Sequence, residues 1–175
     1  MMAGDKQFTH NSGTILTGST KIWDIPEASA KALFGCKRVF IGGAGNADHF
    51  GHIVNYLWIP EGKPPRIKDV EMLMLNDKGE IYHATTFSNW FRIKDPFFAI
   101  GSGMQFAIAA MSSGKTPYEA VKIASKYDAG TGKGFNKLEM WRHEKAAQVA
   151  AFYCVNNCFS SRRRFLSPPT TLPLS

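Results

Sequence analysis

Cys36-Lys37-Arg38-Val39-Phe40-Ile41-Gly42-Gly43-Ala44-Gly45-Asn46-Ala47-Asp48 reads as a strand that enters a glycine turn and opens a helix. Val39, Phe40 and Ile41 are β-branched or aromatic, which suits a pleated, half-buried surface and predicts a strand over Cys36–Ile41. Asn46 is a competent N-cap, and Asp48 falls in the first turn, where the helix dipole favours a carboxylate. A helix over about Ala47 to Trp58 then places Phe50, Ile53, Val54 and Leu57 on one face. Pro60, Pro64 and Pro65 end it.

Working outward, the residues before this stretch read as short strands. Ala3 to His10 forms an extended segment and Asn11-Ser12-Gly13 a turn, followed by Ile15-Leu16 and Thr20–Ile25. After it, Glu71–Asn76 and Ile81–Thr85 flank Asp77-Lys78-Gly79, a hairpin signal. Pro96–Ile100 is a further strand entering a second glycine turn, Gly101-Ser102-Gly103. A helix from Met104 stops at Ser112-Ser113-Gly114, as a C-terminal glycine makes it. The next begins with Thr116 as N-cap, Pro117 at N1 and Glu119 completing a capping box. Leu138 to Tyr153 is expected to be a last helix, within an extra helical segment 137–159. Residues 160–175, rich in Ser, Thr and Pro, are expected to be a disordered tail. Strands followed by helices argue an α+β fold.

The chain has 175 residues, 44% of them hydrophobic, with thirteen Phe, four Trp and five Tyr, enough apolar side chains for one packed domain. No apolar run is long enough to span a bilayer, and no signal peptide is visible. Three cysteines, Cys36, Cys154 and Cys158, fit a reducing, cytoplasmic setting better than a disulfide framework. The net charge of +7 points less to nucleic acid than its size suggests. Residues 1–136 carry 15 basic and 12 acidic side chains. Residues 137–175 carry 6 and 2, three of the six being Arg162-Arg163-Arg164. No basic stripe interleaved with aromatics accompanies them, so nucleic acid is not expected as a partner.

Several motif readings fail on their own chemistry. Gly114-Lys115-Thr116 lacks the glycine that a phosphate loop needs at Ala109. Gly43-Ala44-Gly45-Asn46-Ala47-Asp48 has Asp48 where a dinucleotide fingerprint has its third glycine, and that charge opposes a pyrophosphate. Asp48, His49 and His52 read as the solvated side of a helix, and Cys154-x-x-x-Cys158 has no partner pair. No metal and no cofactor is expected.

What remains is an ordered set of segments. Gly4-Asp5-Lys6-Gln7 is followed by Lys21, sixteen residues past Asp5. Then come the glycine turn ending in Asn46-Ala47-Asp48, the turn Ala99-Ile100-Gly101-Ser102-Gly103, and Asp128-Ala129-Gly130-Thr131-Gly132. In this order and at these spacings, residues 2–136 resemble the proteasome β-subunit family and its bacterial two-layer relative HslV. The resemblance implies an αββα four-layer sandwich with a reduced first helical layer, over a domain of residues 1–136. It also implies N-terminal-nucleophile hydrolysis, in which a terminal threonine attacks a peptide carbonyl and its own α-amine takes the proton. Lys21 would be the cation that eases alkoxide formation, and Asp5 the carboxylate that holds it. Ala44 and Gly45 would supply the oxyanion-stabilising N–H. Ser102, Asp128 and Thr131 would order the terminal amine. The implied partners are a peptide or unfolded-protein substrate, further copies of the chain in a homo-oligomer, and an ATPase.

The sequence departs from the family pattern in three places. The strand that would begin with the catalytic threonine, about a dozen residues before Met2, is not in it. Cutting at Gly13-Thr14 to release a threonine would discard Asp5. Between Asp48 and Glu71 there is one helix where the family carries two, which bears on ring assembly. From Trp141 onward nothing matches, an outline similar to compact family members in phage genomes. Loss of a strand leaves a neighbouring edge that a stable domain must cover. Two readings follow: a threonine-type peptidase subunit that is inactive without its threonine, its true start lying upstream, or a non-catalytic structural or assembly protein that keeps the fold.

Overall fold

The computed structural model describes residues 1–9, 15–16, 20–86, 88–140 and 153–154. In chain order the strands β1 (Met2–Asp5), β2 (Phe8–Thr9), β3 (Ile15–Leu16) and β4 (Ile22–Ile25) lead to helix α1 (Glu27–Phe34). Strand β5 (Val39–Gly45) and helix α2 (Ala47–Trp58) follow, then strands β6 (Val70–Asn76), β7 (Ile81–Thr85), β8 (Ser88–Ile93) and β9 (Ile100–Gly101). Helices α3 (Met104–Ser112) and α4 (Pro117–Tyr127) precede β10 (Phe135–Leu138) and β11 (Tyr153–Cys154). The fold is α+β. Among the described residues, no helix is long and apolar enough to cross a membrane.

One antiparallel sheet has the order β4-β5-β6-β7-β8, while β1 pairs with β10, β2 with β3, and β9 with β11. The sheet's two faces pack differently because side chains alternate along each strand. Phe40, Ala44, Leu73 and Leu75 join Met2, Ile22, Ile81 and Ile100 in one buried cluster. Val39, Ile41, Met72 and Met74 face the other way and meet Phe50, Ile53, Val54 and Leu57 of α2. A third cluster joins Ala3 and Ala99 to Ala107 and Met111 of α3 and to Ala120, Val121 and Ala124 of α4. In β1, Met2 belongs to the first cluster and Ala3 to the third, so this strand separates the sheet from the α3–α4 pair.

The local signals work as their chemistry requires. The Asn46 side chain accepts from the amides of Asp48 and His49. Thr116 and Glu119 form the reciprocal capping box ahead of α4. Gly42–Gly45, expected as a turn, instead prolong β5 and pair with Leu73–Val70. A Cβ on Gly43 would stand 2.0 Å from the Phe50 ring, so this glycine lets α2 press onto the strand. Gly45 has φ of 110°, and a Cβ there would stand 2.3 Å from the Asp69 carbonyl oxygen.

Several expectations are corrected. The extended segment over Ala3–His10 is divided into β1 and β2, because Lys6 leaves the ladder to donate to the carbonyls of Gly132 and Gly134. The strand expected over Pro96–Ile100 shrinks to β9, and β8 lies earlier, at Ser88–Ile93. The helix expected from Leu138 to Tyr153 does not form at either end. Phe135–Leu138 is a strand because it completes the ladder of Met2–Asp5, with Phe135 packed toward the α3–α4 cluster and Leu138 toward the sheet cluster. Tyr153–Cys154 is also a strand. Residues 141–152, the second thiol of the Cys154–Cys158 pair and the tail 160–175 lie outside the described residues, as does the Gly13-Thr14 step.

Candidate functional site: a buried lysine–aspartate pair joined to a hydroxyl–carboxylate cluster

Asp5 ends β1 and Lys21 immediately precedes β4, so two chain segments sixteen residues apart bring their side chains together under cover of the core. The Lys21 ammonium donates to both Asp5 oxygens, at 2.9 and 3.1 Å, and both residues are 0% exposed. Asp5 Oδ2 also accepts the backbone N–H of Gln7 at 2.9 Å and of Gly132 at 3.2 Å. Burial raises the Asp5 carboxyl above the usual carboxylate range, against the opposing pull of Lys21 and the two amides. The Phe8 ring lies 5.0 Å from the Lys21 nitrogen and adds a cation–π contact on an ammonium already withdrawn from water.

A second cluster is built at the ends of α3 and α4. Ser102 follows β9 and precedes α3; Asp128 and Thr131 follow α4. Asp128 Oδ2 accepts from the hydroxyl of Ser102 at 2.7 Å and from that of Thr131 at 2.5 Å. Gly103 is required here, since a Cβ on it would stand 2.7 Å from Thr131 Oγ1. Ser102 is exposed, Asp128 half-buried and Thr131 buried, so the cluster runs inward from the surface.

The two clusters are one assembly. Gly132, next to Thr131, donates to Asp5, and Gln7 Nε2 donates to the Ala129 carbonyl at 2.7 Å. A fixed cation, a carboxylate that holds it, and a second carboxylate gathering two hydroxyls are thus joined through the 129–132 loop. Such a set can stabilise negative charge developing on an oxygen and can orient a polar group placed beside Ser102. Ala44 and Gly45 end β5, and Ala44 lies in the same buried cluster as Met2 and as Ile100, the first residue of β9.

Five of the seven residues singled out from the sequence therefore meet by hydrogen bonds. Three contributors, Gln7, Phe8 and Gly132, were not singled out as site residues. Gln7 carried only the faint signal of a polar residue two positions past Asp5. The amide of Gly132 and the ring of Phe8 act through tertiary position and have no sequence mark. Among the described residues, no group of three His, Cys, Asp or Glu side chains could hold a metal ion. His49 and His52 instead line a groove of about 690 Å³ with Tyr56, Lys63 and Arg66, and His49 Nδ1 bonds the Lys68 carbonyl at 2.9 Å.

No protein-family model matches the chain, and no curated protein matches it either. Fourteen chains of solved structures do match. One is Thiobacillus denitrificans BPH in complex with epoxomicin, with a TM-score of 0.55 at 12% identity, over 77% of this chain and 88% of that one. The likeness is one of fold. It extends across most of both chains.

Proposed function

We propose that this chain is a member of the proteasome β-subunit and HslV group, built as an αββα sandwich, whose site belongs to a threonine-type peptidase subunit. One observation carries the reading: the fully buried Lys21–Asp5 pair tied through Gly132 to Ser102, Asp128 and Thr131. The three apolar clusters, stacked on either side of the five-stranded sheet and behind β1, support the sandwich. The likeness to a structure that holds epoxomicin supports a peptidase-like fold.

In this reading a threonine ahead of Met2 provides the nucleophile. Its hydroxyl oxygen bonds to the peptide carbonyl carbon as its own α-amine takes the proton, and the carbonyl electrons move to the oxyanion. Lys21 lowers the energy of the alkoxide, Asp5 keeps Lys21 in place, and the N–H at Ala44–Gly45 faces the oxyanion. Ser102, Asp128 and Thr131 orient the amine. The amine then returns its proton to the leaving nitrogen, and water releases the acyl group. Peptide or unfolded protein is the substrate, and assembly with further copies and with an ATPase would deliver it.

A second reading has its own observation. Lys21 and Asp5 are wholly buried, as is Met2, which suits a non-catalytic assembly protein that retains the pair as a structural relic. The coding sequence directly upstream of Met1 separates the two. An in-frame extension opening on Met-Thr or Met-Ser, whose product cleaves a fluorogenic peptide and is labelled by epoxomicin, supports the peptidase. Lys21→Ala in that product should abolish turnover. An in-frame stop codon there, with no cleavage by the chain of 175 residues, leaves the assembly protein.

A further inference from the structure

The helix that buries Phe50, Ile53, Val54 and Leu57 against the sheet carries a second stripe on its other side. His49, His52 and Tyr56 stand three and four residues apart, so they share one face of α2. With Ile59, Lys63 and Arg66 from the connector to β6, they line a groove of about 690 Å³, the size of a small-molecule pocket. The connector is held at both ends. The Ile59 amide donates to the Asn55 carbonyl, and the Asn46 amide to the Asp69 carbonyl. His49 Nδ1–H donates to the Lys68 carbonyl at 2.9 Å, which fixes the tautomer and leaves Nε2 as the nitrogen on offer. Pro60, Pro64 and Pro65 stiffen what lies between, so the groove needs little ordering to receive a ligand.

The positive charge of this groove is uncompensated. Among the described residues, Arg38 and Arg92 each pair with a carboxylate, while Lys63 and Arg66 pair with none. Glu61 is the single acid in the lining, against those two cations and the two histidines. That balance disfavours a cationic ligand, and among the described residues no three His, Cys, Asp or Glu side chains could hold a metal ion. We propose that the groove is a binding site for a phosphomonoester, its phosphate held by Lys63, Arg66 and the two imidazoles and its organic part resting on Tyr56, Ile59 and Pro65. A phosphate presents three terminal oxygens and a charge of about −1.5 to −2, more than a carboxylate does, and so can use donors from four separate side chains. Arg66 provides a planar fork and Lys63 a point charge on a flexible stem. No lining residue takes part in the peptide hydrolysis proposed above, so the two readings stand or fall separately.

Binding to the full chain at low salt, followed by calorimetry and by amide chemical shifts, tests the site with phenyl phosphate as the probe. It should bind saturably, one per chain, and move the amides of 49–56 and 61–66 while those of β1 and β9 stay in place. Inorganic phosphate should compete for the same site with lower affinity, and benzoate should bind more weakly than phenyl phosphate. Lys63→Ser/Arg66→Ser should weaken phenyl phosphate binding by about tenfold or more, with the amide pattern elsewhere retained. Glu61→Gln, which removes only the acid of the lining, should tighten binding by about twofold or more. Binding that does not saturate, or shifts gathered on the lysines of α4 instead, would overturn the site. So would an affinity that neither variant alters. Inorganic phosphate bound as tightly as the ester would overturn the apolar half of the assignment, and benzoate bound as tightly would overturn the phosphate. Should the double variant unfold, Glu61→Gln decides the question.

Discussion

Two ion pairs flank β4, and they sit in opposite surroundings. At its start, Lys21 and Asp5 are each 0% exposed. Within it, Asp24 pairs with Arg38, and these side chains are 37% and 32% exposed. The outer pair is a forked contact, with Nε and Nη2 of Arg38 both reaching the carboxylate. Water still reaches both partners and screens them, so a pair of this kind contributes under about 1 kcal/mol. The inner pair has lost its water and must recover the desolvation cost from geometry alone. Hydrogen bonds to both oxygens of Asp5, two backbone amides and the Phe8 ring provide that recovery. A fold seeking stability alone could place apolar side chains there, so what the inner pair contributes rests on that full set of partners.

The largest effect should come from breaking the inner pair on one side. Lys21→Met should cost about 3–5 kcal/mol in urea unfolding, because it leaves Asp5 buried with only the two amides. Asp5→Asn combined with Lys21→Met keeps an acceptor for those amides and removes the stranded charge. The double variant should therefore be more stable than the single one, and the reverse order would show that the pair is held for its own energy.

Next in size is Gly103→Ala, whose Cβ would stand 2.7 Å from Thr131 Oγ1. It should cost about 1–3 kcal/mol as an overpacking change. The loss should come with greater amide exchange around Asp128 and leave the Arg38–Asp24 region as it was.

A third buried ionisable group sharpens the contrast. His83 is 8% exposed, flanked by the Phe91 and Phe98 rings, and its Nε2 has no hydrogen-bond partner among the described residues. Burial lowers its pKa below the ordinary 6.5, against a small opposing pull from Glu71. The unfolded chain thus takes up a proton before the folded one does. Stability due to this group is intact above pH 6.5, falls as the pH drops below it, and levels off below the folded pKa. Chemical denaturation between pH 7.5 and 5 should show this decline, and His83→Phe should flatten it.

The smallest effect belongs to the outer pair. Arg38→Gln should change stability by less than about 1 kcal/mol, and that difference should shrink further in 1 M salt. A cost matching that of Lys21→Met would remove the distinction between the two pairs.

How much of this was legible in the sequence depends on range. The Asn46 cap, the Thr116–Glu119 box and the α2 stripe are local, and each formed where its chemistry called for it. Helix α1 has only a short apolar face, Ala30 with the partly buried Leu33 and Phe34, and no side-chain cap to mark its start. Strand β8 escaped for a related reason: it is the sheet's outer strand, largely exposed, and its alternation is blurred. Phe135–Leu138 forms a strand where a helix from Leu138 is expected, because its partner, β1, lies at the other end of the chain. In the site, Asp5, Lys21, Ser102, Asp128 and Thr131 were visible as residue types in order. Their union was not, nor were the amide of Gly132 and the ring of Phe8 that complete it.

By itself the sequence determined the α+β class, the caps and the identity of the charged and hydroxyl-bearing residues, since these follow from periodicity and side-chain chemistry within a few positions. Tertiary structure decided which of them touch, how far each is withdrawn from water, and which strand closes the β9 edge. Those outcomes depend on pairing and packing between segments that no local pattern links, from the sixteen residues between Asp5 and Lys21 to the 127 between Asp5 and Gly132.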